Sequence, residues 1–200
     1  EDLISRQSYG DFELKFEWKV APGSNSGVKY KIQDSVLVDD HQTPQRMPFE
    51  KQVAYFMKTR SGKRELVKKG SDAQIYPVAF EYQVIDDSKH PDALHNASSR
   101  AGSLYRMAAP SRAAARPVGE FNEGRIVVRG MNVEHWLNGV KVVDTTMDAP
   151  EVRASIEQRW PADNPVRELL EKMPKQRAPI SLQNHNDVAW YRNIKIRELK

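Results

Sequence analysis

Glu81 and Gln83 stand two positions apart in Phe80-Glu81-Tyr82-Gln83-Val84-Ile85, so an extended chain puts them on one face and Phe80, Tyr82 and Val84 on the other. The same parity groups Asn25, Lys29 and Lys31 in a second segment, and Gln183 with His185 in a third. Carboxylate, amine, amide and imidazole side chains hold polar ligands and move protons. Parity cannot make the three segments neighbours, and the pattern also suits ordinary solvent-facing residues. A second constellation, Asp86-x-x-x-His90-x-Asp92, has the oxygen and imidazole donors of a divalent-cation site, although a loop rich in Asp and His is also commonly just solvated. Of five histidines, His90, His135 and His185 have carboxylates or amides nearby in sequence, while His41 and His95 fall in loops. With no cysteine in the chain, a thiol nucleophile, a disulfide and a Cys-ligated zinc are excluded. No Gly-x-Ser-x-Gly elbow, phosphate loop or dinucleotide fingerprint is present, so hydride chemistry and nucleotide hydrolysis are not expected.

The elements that must position these residues are mostly strands. Phe12, Leu14, Phe16, Trp18 and Val20 alternate with Glu13, Lys15, Glu17 and Lys19, the period of a half-buried strand. Residues 21–27, Ala-Pro-Gly-Ser-Asn-Ser-Gly, read as a turn before a strand through Val28, Tyr30 and Ile32. Residues 33–52 are polar with two prolines and read as a long loop, and Asp86 to Arg100 reads as another. Gly102-Ser103-Leu104-Tyr105 has the composition of a short strand. Ile126–Arg129, Val133–Leu137 and Val140–Val143 flank a turn at Gly130-Met131-Asn132 and the hairpin signal Asn138-Gly139, predicting three consecutive antiparallel strands. Helix is expected only late: a short one over Glu151 to Trp160, and another with Asn164 as cap, Pro165 first, and Val166, Leu169, Leu170 and Met173 on one stripe before Pro174. Ile180–Gln183 and Val188–Ile196 return to strand. Many strands between turns predict an all-β antiparallel sandwich.

Two hundred residues fit one domain with a real core, here expected to span 1–200 with a helical insertion at about 150–174. The net charge of +4 comes from 31 basic and 27 acidic residues spread evenly over both halves. The dense basic cluster, Lys58, Arg60, Lys63, Arg64, Lys68 and Lys69, reads as a solvated loop rather than a phosphate site, so no nucleic-acid partner is expected. No run of about 18 apolar residues predicts a membrane span.

Six stretches in order carry a resemblance: Tyr9-Gly10-Asp11-Phe12-Glu13-Leu14; Asn25-Ser26-Gly27-Val28-Lys29-Tyr30; Phe80 to Asp87 with Lys89-His90-Pro91-Asp92-Ala93; Gly102 to Tyr105; Val133-Glu134-His135-Trp136-Leu137-Asn138-Gly139; and Ile180 to His185 with Tyr191 to Ile196. Together they are similar to the motifs of the 3-keto-disaccharide hydrolase domain family. The resemblance implies a concanavalin A-like jelly roll of two antiparallel sheets, a carbohydrate site on its concave face, a saccharide or small-molecule substrate, and a periplasmic or cell-surface location in glycan-degrading bacteria. It also implies a strand ahead of Tyr9 and a shorter segment between Asp34 and Ala79 than this sequence has.

The chemistry implied is specific. A carbonyl at C3 of a sugar acidifies the C2 hydrogen, and the enolate formed on its removal can expel the C1 substituent. Such a site needs a base near C2, a cation or donor at the C3 oxygen, and an acid at the glycosidic oxygen. The expected proton-transfer groups are Glu81 and His185, with Lys29 or a bound cation at the enolate. Asn25, Gln83, Tyr105, Gln183 and His135 are expected to hold hydroxyls, and Asp86 with His90 to order the rim or bind a divalent cation. The alternatives are direct hydrolysis by two carboxylates, with Asp86 as the second, and a noncatalytic lectin-like module binding through Trp136 or Trp190. For both tryptophans core packing is the ordinary expectation.

Overall fold

The computed structural model describes residues 2–39, 42–47, 74–172 and 176–200. Its strands are β1 (Leu3–Ile4), β2 (Phe12–Val20), β3 (Asn25–Tyr30), β4 (Ser35–Asp39), β5 (Gln42–Met47), β6 (Gln74–Pro77), β7 (Phe80–Ile85), β8 (Asn122–Arg129), β9 (Asn132–Leu137), β10 (Val140–Thr146), β11 (Ser181–Leu182) and β12 (Ala189–Glu198). The helices are α1 (Pro91–His95), α2 (Pro150–Arg159) and α3 (Pro165–Glu171). A four-stranded sheet, β1-β11-β3-β7, faces a five-stranded sheet, β10-β9-β8-β2-β12, and every pairing is antiparallel. This is the expected jelly-roll sandwich. A third sheet of order β5-β4-β6 stands where a loop was expected over residues 33–52, because the short Val36-Leu37-Val38 run outweighs the polar residues around it. The basic cluster at Lys58–Lys69 and His41 lie outside the described residues.

Alternation decides what each sheet buries. Phe12, Leu14, Phe16, Trp18 and Val20 of β2 are buried, as are Val28 and Tyr30 of β3 and Phe80, Tyr82 and Val84 of β7. The aromatic rings interlock edge to face, with Phe16 and Tyr82 centroids 5.3 Å apart and Phe12 and Tyr30 6.3 Å apart. The β9–β10 hairpin turns at Asn138 (φ 50°) and Gly139 (φ 81°), the paired left-handed conformation that an Asn-Gly turn supplies. In β12 the register shifts between Arg192 and Lys195, where Asn193 adopts φ 53°.

Two boundaries differ from expectation. Asn25, Ser26 and Gly27 belong to β3 rather than to the preceding turn, and β3 ends at Tyr30, ahead of Lys31, whose φ is 49°. The segment after β7 is not all loop: α1 is capped by His90, and a 3-10 turn follows at Ala97–Ser99. Instead of a strand at Gly102–Tyr105, isolated bridges tie Leu104 to Tyr82 and to Ala108. Both expected late helices form, α2 and α3, and no helix among the described residues is long and apolar enough to cross a membrane.

Candidate active site

The register of β3 against β7 sets Lys29 opposite Glu81, Gly27 opposite Gln83 and Asn25 opposite Ile85. On the other flank of β3, β11 sets Ser181 opposite Lys29, and the Gln183 amide donates to the Gly27 carbonyl at 2.8 Å. The three segments grouped by parity are therefore adjacent strands, and their polar side chains share the face turned away from the core. This face is not bathed in water. Lys29 is 4% exposed, Glu81 7% and Gln83 0%.

Gly27 makes room for the central carboxyl. A β-carbon there would lie 2.1 Å from Glu81 Oε1, so the Glu81 side chain lies across β3 where the strand has no side chain. Burial raises the Glu81 pKa to about 7; the Asp2 charge adds to the rise, and Lys29 and Arg159 oppose it. Lys29 is itself restrained, its Nζ 2.9 Å from Asp2 Oδ2. The same oxygen accepts from Ser181 Oγ at 3.1 Å, and Asp2 Oδ1 accepts from the Asn184 amide at 3.1 Å. Tyr105 closes the other side. Its amide donates to the Glu81 carbonyl at 2.9 Å, and its ring lies under the guanidinium of Arg159 at 5.3 Å. Glu81, Tyr105, Ser155, Arg159 and Trp160 line a cavity of about 10 Å³, room for about one water. A buried carboxyl whose pKa is raised to about 7, with a phenol beside it and the charges of Lys29 and Arg159 acting on it, can take a proton from an activated carbon and stabilise the charge left behind.

Residues 1–197 match the model of the 3-keto-alpha-glucoside-1,2-lyase-like domain. The chain belongs to that family. A protein of Bacteroides thetaiotaomicron named 3-keto-disaccharide hydrolase is 30% identical over 210 residues, covering 99% of this chain. The chain spans 62% of that relative's length. Two crystal structures of proteins from Parabacteroides distasonis, provisionally assigned as glycosyl hydrolases, share the fold. One has a TM-score of 0.65 at 22% identity, covering 100% of this chain and 74% of the other; the second has 0.64 at 21%, covering 100% and 83%.

In this lyase-like domain the expected site residues divide. Lys29, Glu81, Gln83, Asn25 and Gln183 sit on one sheet face, and Tyr105 flanks it. Gln83 Nε2 donates to Asn25 Oδ1 at 3.0 Å, while Gln83 Oε1 is buried with no hydrogen-bond partner among the described residues. His135 is not on this face. It is 0% exposed between the sheets, with Nε2 2.8 Å from Tyr30 Oη and Nδ1 3.0 Å from the Gly102 carbonyl, and burial lowers its pKa to about 4. It is a neutral core residue, not a hydroxyl ligand. His185 lies beyond Gln183, half exposed, with Nδ1 3.4 Å from the Asp187 carboxylate at the Asn25 end of the sheet, and it makes no contact with Glu81.

The Asp86 and His90 side chains are engaged in local hydrogen bonds that shape the turn after β7 and the start of α1. Asp86 accepts from the Gly23 amide at 2.7 Å and from the Ser88 amide and hydroxyl at 2.8 and 2.6 Å. Burial acts to raise its pKa, and these hydrogen bonds bring it below the usual carboxylate value. His90 Nδ1 accepts from the Asp92 amide at the start of α1. Among the described residues no group of three or more His, Asp or Glu side chains is placed to hold a metal. Trp136 and Trp190 are not core residues either. Both sit on the outer face of the five-stranded sheet, under Arg125 at 4.7 Å and Lys19 at 4.6 Å respectively.

Sequence reasoning missed Asp2, Gly27, Ser181 and Arg159. Gly27 had a legible signal, a glycine between alternating strand residues, which marks close approach of another group. Asp2 had none, because a two-residue strand has no period.

Proposed function

We propose that this domain cleaves 3-keto glycosides by removing the C2 proton and expelling the C1 substituent, with Glu81 as the base. The observation that carries the reading is the state of that one carboxyl, taken out of water, titrating at about 7, and influenced by the cations of Lys29 and Arg159. Removing the C2 proton places its electron pair in a C2=C3 bond and negative charge on the C3 oxygen. When C3=O re-forms, the pair moves to C1=C2 and the C1–O bond breaks, the leaving oxygen taking a proton. Water then adds hydroxyl to C1 and hydrogen to C2. An acid with a pKa near neutrality both accepts and returns protons efficiently, so Glu81 can serve more than one of these transfers. Gln83 Oε1, which has no partner among the described residues, is an acceptor on the same face for a sugar hydroxyl.

Direct hydrolysis requires two carboxyls across one glycosidic bond. Asp86 is held in its turn and Asp2 is neutralised by Lys29, which favours elimination. An exported, periplasmic or cell-surface location belongs to the same proposal and is read by cell fractionation.

The test is incubation of wild type and Glu81→Gln with a 3-keto glucoside in deuterated water. Wild type is expected to place deuterium at C2 and release the aglycone, and the variant to lose both by about 100-fold or more. Release without deuterium at C2 would rule out elimination, and a variant as fast as wild type would remove Glu81 from the chemistry.

A further inference from the structure

Arg106 and Arg159 line the Tyr105–Glu81 cleft and Lys29 stands opposite Glu81 on the neighbouring strand, and two of these three cations are engaged by carboxylates. Lys29 Nζ is held by Asp2, its side chain 6% exposed, and Arg106 reaches the Asp92 carboxylate at 3.5 Å. Arg159, the last residue of α2, has no carboxylate partner among the described residues. Aromatic rings hold it instead: the guanidinium lies 5.3 Å from the centroid of Tyr105 and 5.0 Å from that of Trp160. It lines the same cavity as Glu81 and is close enough for its charge to act on both Glu81 and Tyr105. Its position at the C-terminal end of a helix also suits a cation.

We infer that Arg159 contacts the C3 oxygen of the substrate and takes up the negative charge that forms there, a role that rests on the elimination reading above. The physical reason is availability. A cation already neutralised by a carboxylate has little field left for a new anion, and freeing it costs the energy of that pair. Arg159 meets an incoming oxyanion without breaking an ion pair among the described residues, its guanidinium held near two aromatic rings that compete for none of its N–H donors as a carboxylate would. Lys29, in turn, is a positioning residue: paired with Asp2, it fixes the local charge beside the Glu81 carboxyl. The step remains balanced as written above: the electron pair released from C2–H appears as charge on the C3 oxygen, hydrogen-bonded to Arg159, while the proton goes to Glu81.

The experiment compares wild type, Arg159→Gln and Arg159→Lys, with Arg129→Gln on the outer face of β8 as a control. Deuterium uptake at C2 of a 3-keto glucoside and aglycone release are both followed. Loss of about 100-fold in C2 exchange is expected for Arg159→Gln, with partial recovery in Arg159→Lys and with added guanidinium. The loss should fall on kcat more than on KM, because the charge exists only in the transition state and enolate. Circular dichroism and melting temperature near wild type would separate this from unfolding, which an exposed helix-end residue does not provoke. If wild type exchanges and cleaves while Arg159→Gln stays within threefold, Arg159 is not the oxyanion partner although the elimination reading stands. If wild type neither exchanges C2 nor cleaves 3-keto glycosides, the reading itself falls, and the role of Arg159 with it.

Discussion

A methyl group at Gly27 and the Glu81 carboxyl cannot occupy the same space. Gly27→Ala is therefore expected to push Glu81 off β3 and to lower turnover of a 3-keto glucoside by about 10-fold or more, since small misplacements of a reacting group are costly. Full activity in a folded Gly27→Ala protein would show that Glu81 works from another rotamer. Activity should also rise with pH along a limb near 7, because the base must be ionised and burial holds its proton to about that value. A rate profile flat between pH 5 and 8 would contradict that assignment. His185→Ala, by contrast, is expected to remain within a few-fold of wild type, since its imidazole meets Asp187 rather than Glu81. Much of the face was legible in the sequence: parity put Lys29, Glu81 and Gln83 where they are found. His135 was legible too, since it shares its parity with Val133 and Leu137 on the apolar face of its strand, and reading it by its chemistry alone is what misled. The register agrees, setting His135 opposite the buried Ile126.

The strand pair β3–β7 is fixed at one end by a turn that Asp86 holds together through Gly23 and Ser88. Asp86→Ala should destabilise the fold by about 2–3 kcal/mol, since it removes three hydrogen bonds to a charged group that is itself buried. Urea denaturation measures this, and a change under about 0.5 kcal/mol would mean that water replaces the carboxylate. At the helical insertion, the Asn164 side chain accepts from the Val166 amide at 2.9 Å ahead of Pro165. This cap and the stripe of Val166, Leu169 and Leu170 made α3 legible. The third sheet was not, because two of its strands fall in a stretch whose average composition is that of a loop. Arg159 was invisible for a related reason: α2 has only Val152 and Ile156 buried, and nothing in its sequence marks which exposed residue turns toward the sheet.

Across the whole molecule two buried groups oppose each other as pH changes. His135 titrates at about 4 in the fold against 6.5 when exposed, so its contribution is complete above pH 6.5 and is lost as pH falls toward 4. Glu81 titrates at about 7 against 4.5, so its contribution is complete below pH 4.5 and is lost as pH rises toward 7. Across pH 4.5 to 6.5 the two slopes offset one another. Removing one exposes the other: Glu81→Gln should gain stability relative to wild type as pH rises, on the order of 2–3 kcal/mol by pH 7.5. Denaturation midpoints that stay parallel for the two proteins from pH 4.5 to 7.5 would contradict the buried titration of Glu81. The bond between the sheets has a further use. The Gly102 carbonyl can only accept, so His135 carries its proton on Nδ1, and Nε2 accepts a hydrogen bond from the Tyr30 hydroxyl. That Nδ1 proton is sealed between the two layers, and the rate at which solvent deuterium replaces it would time how often the sandwich breathes apart.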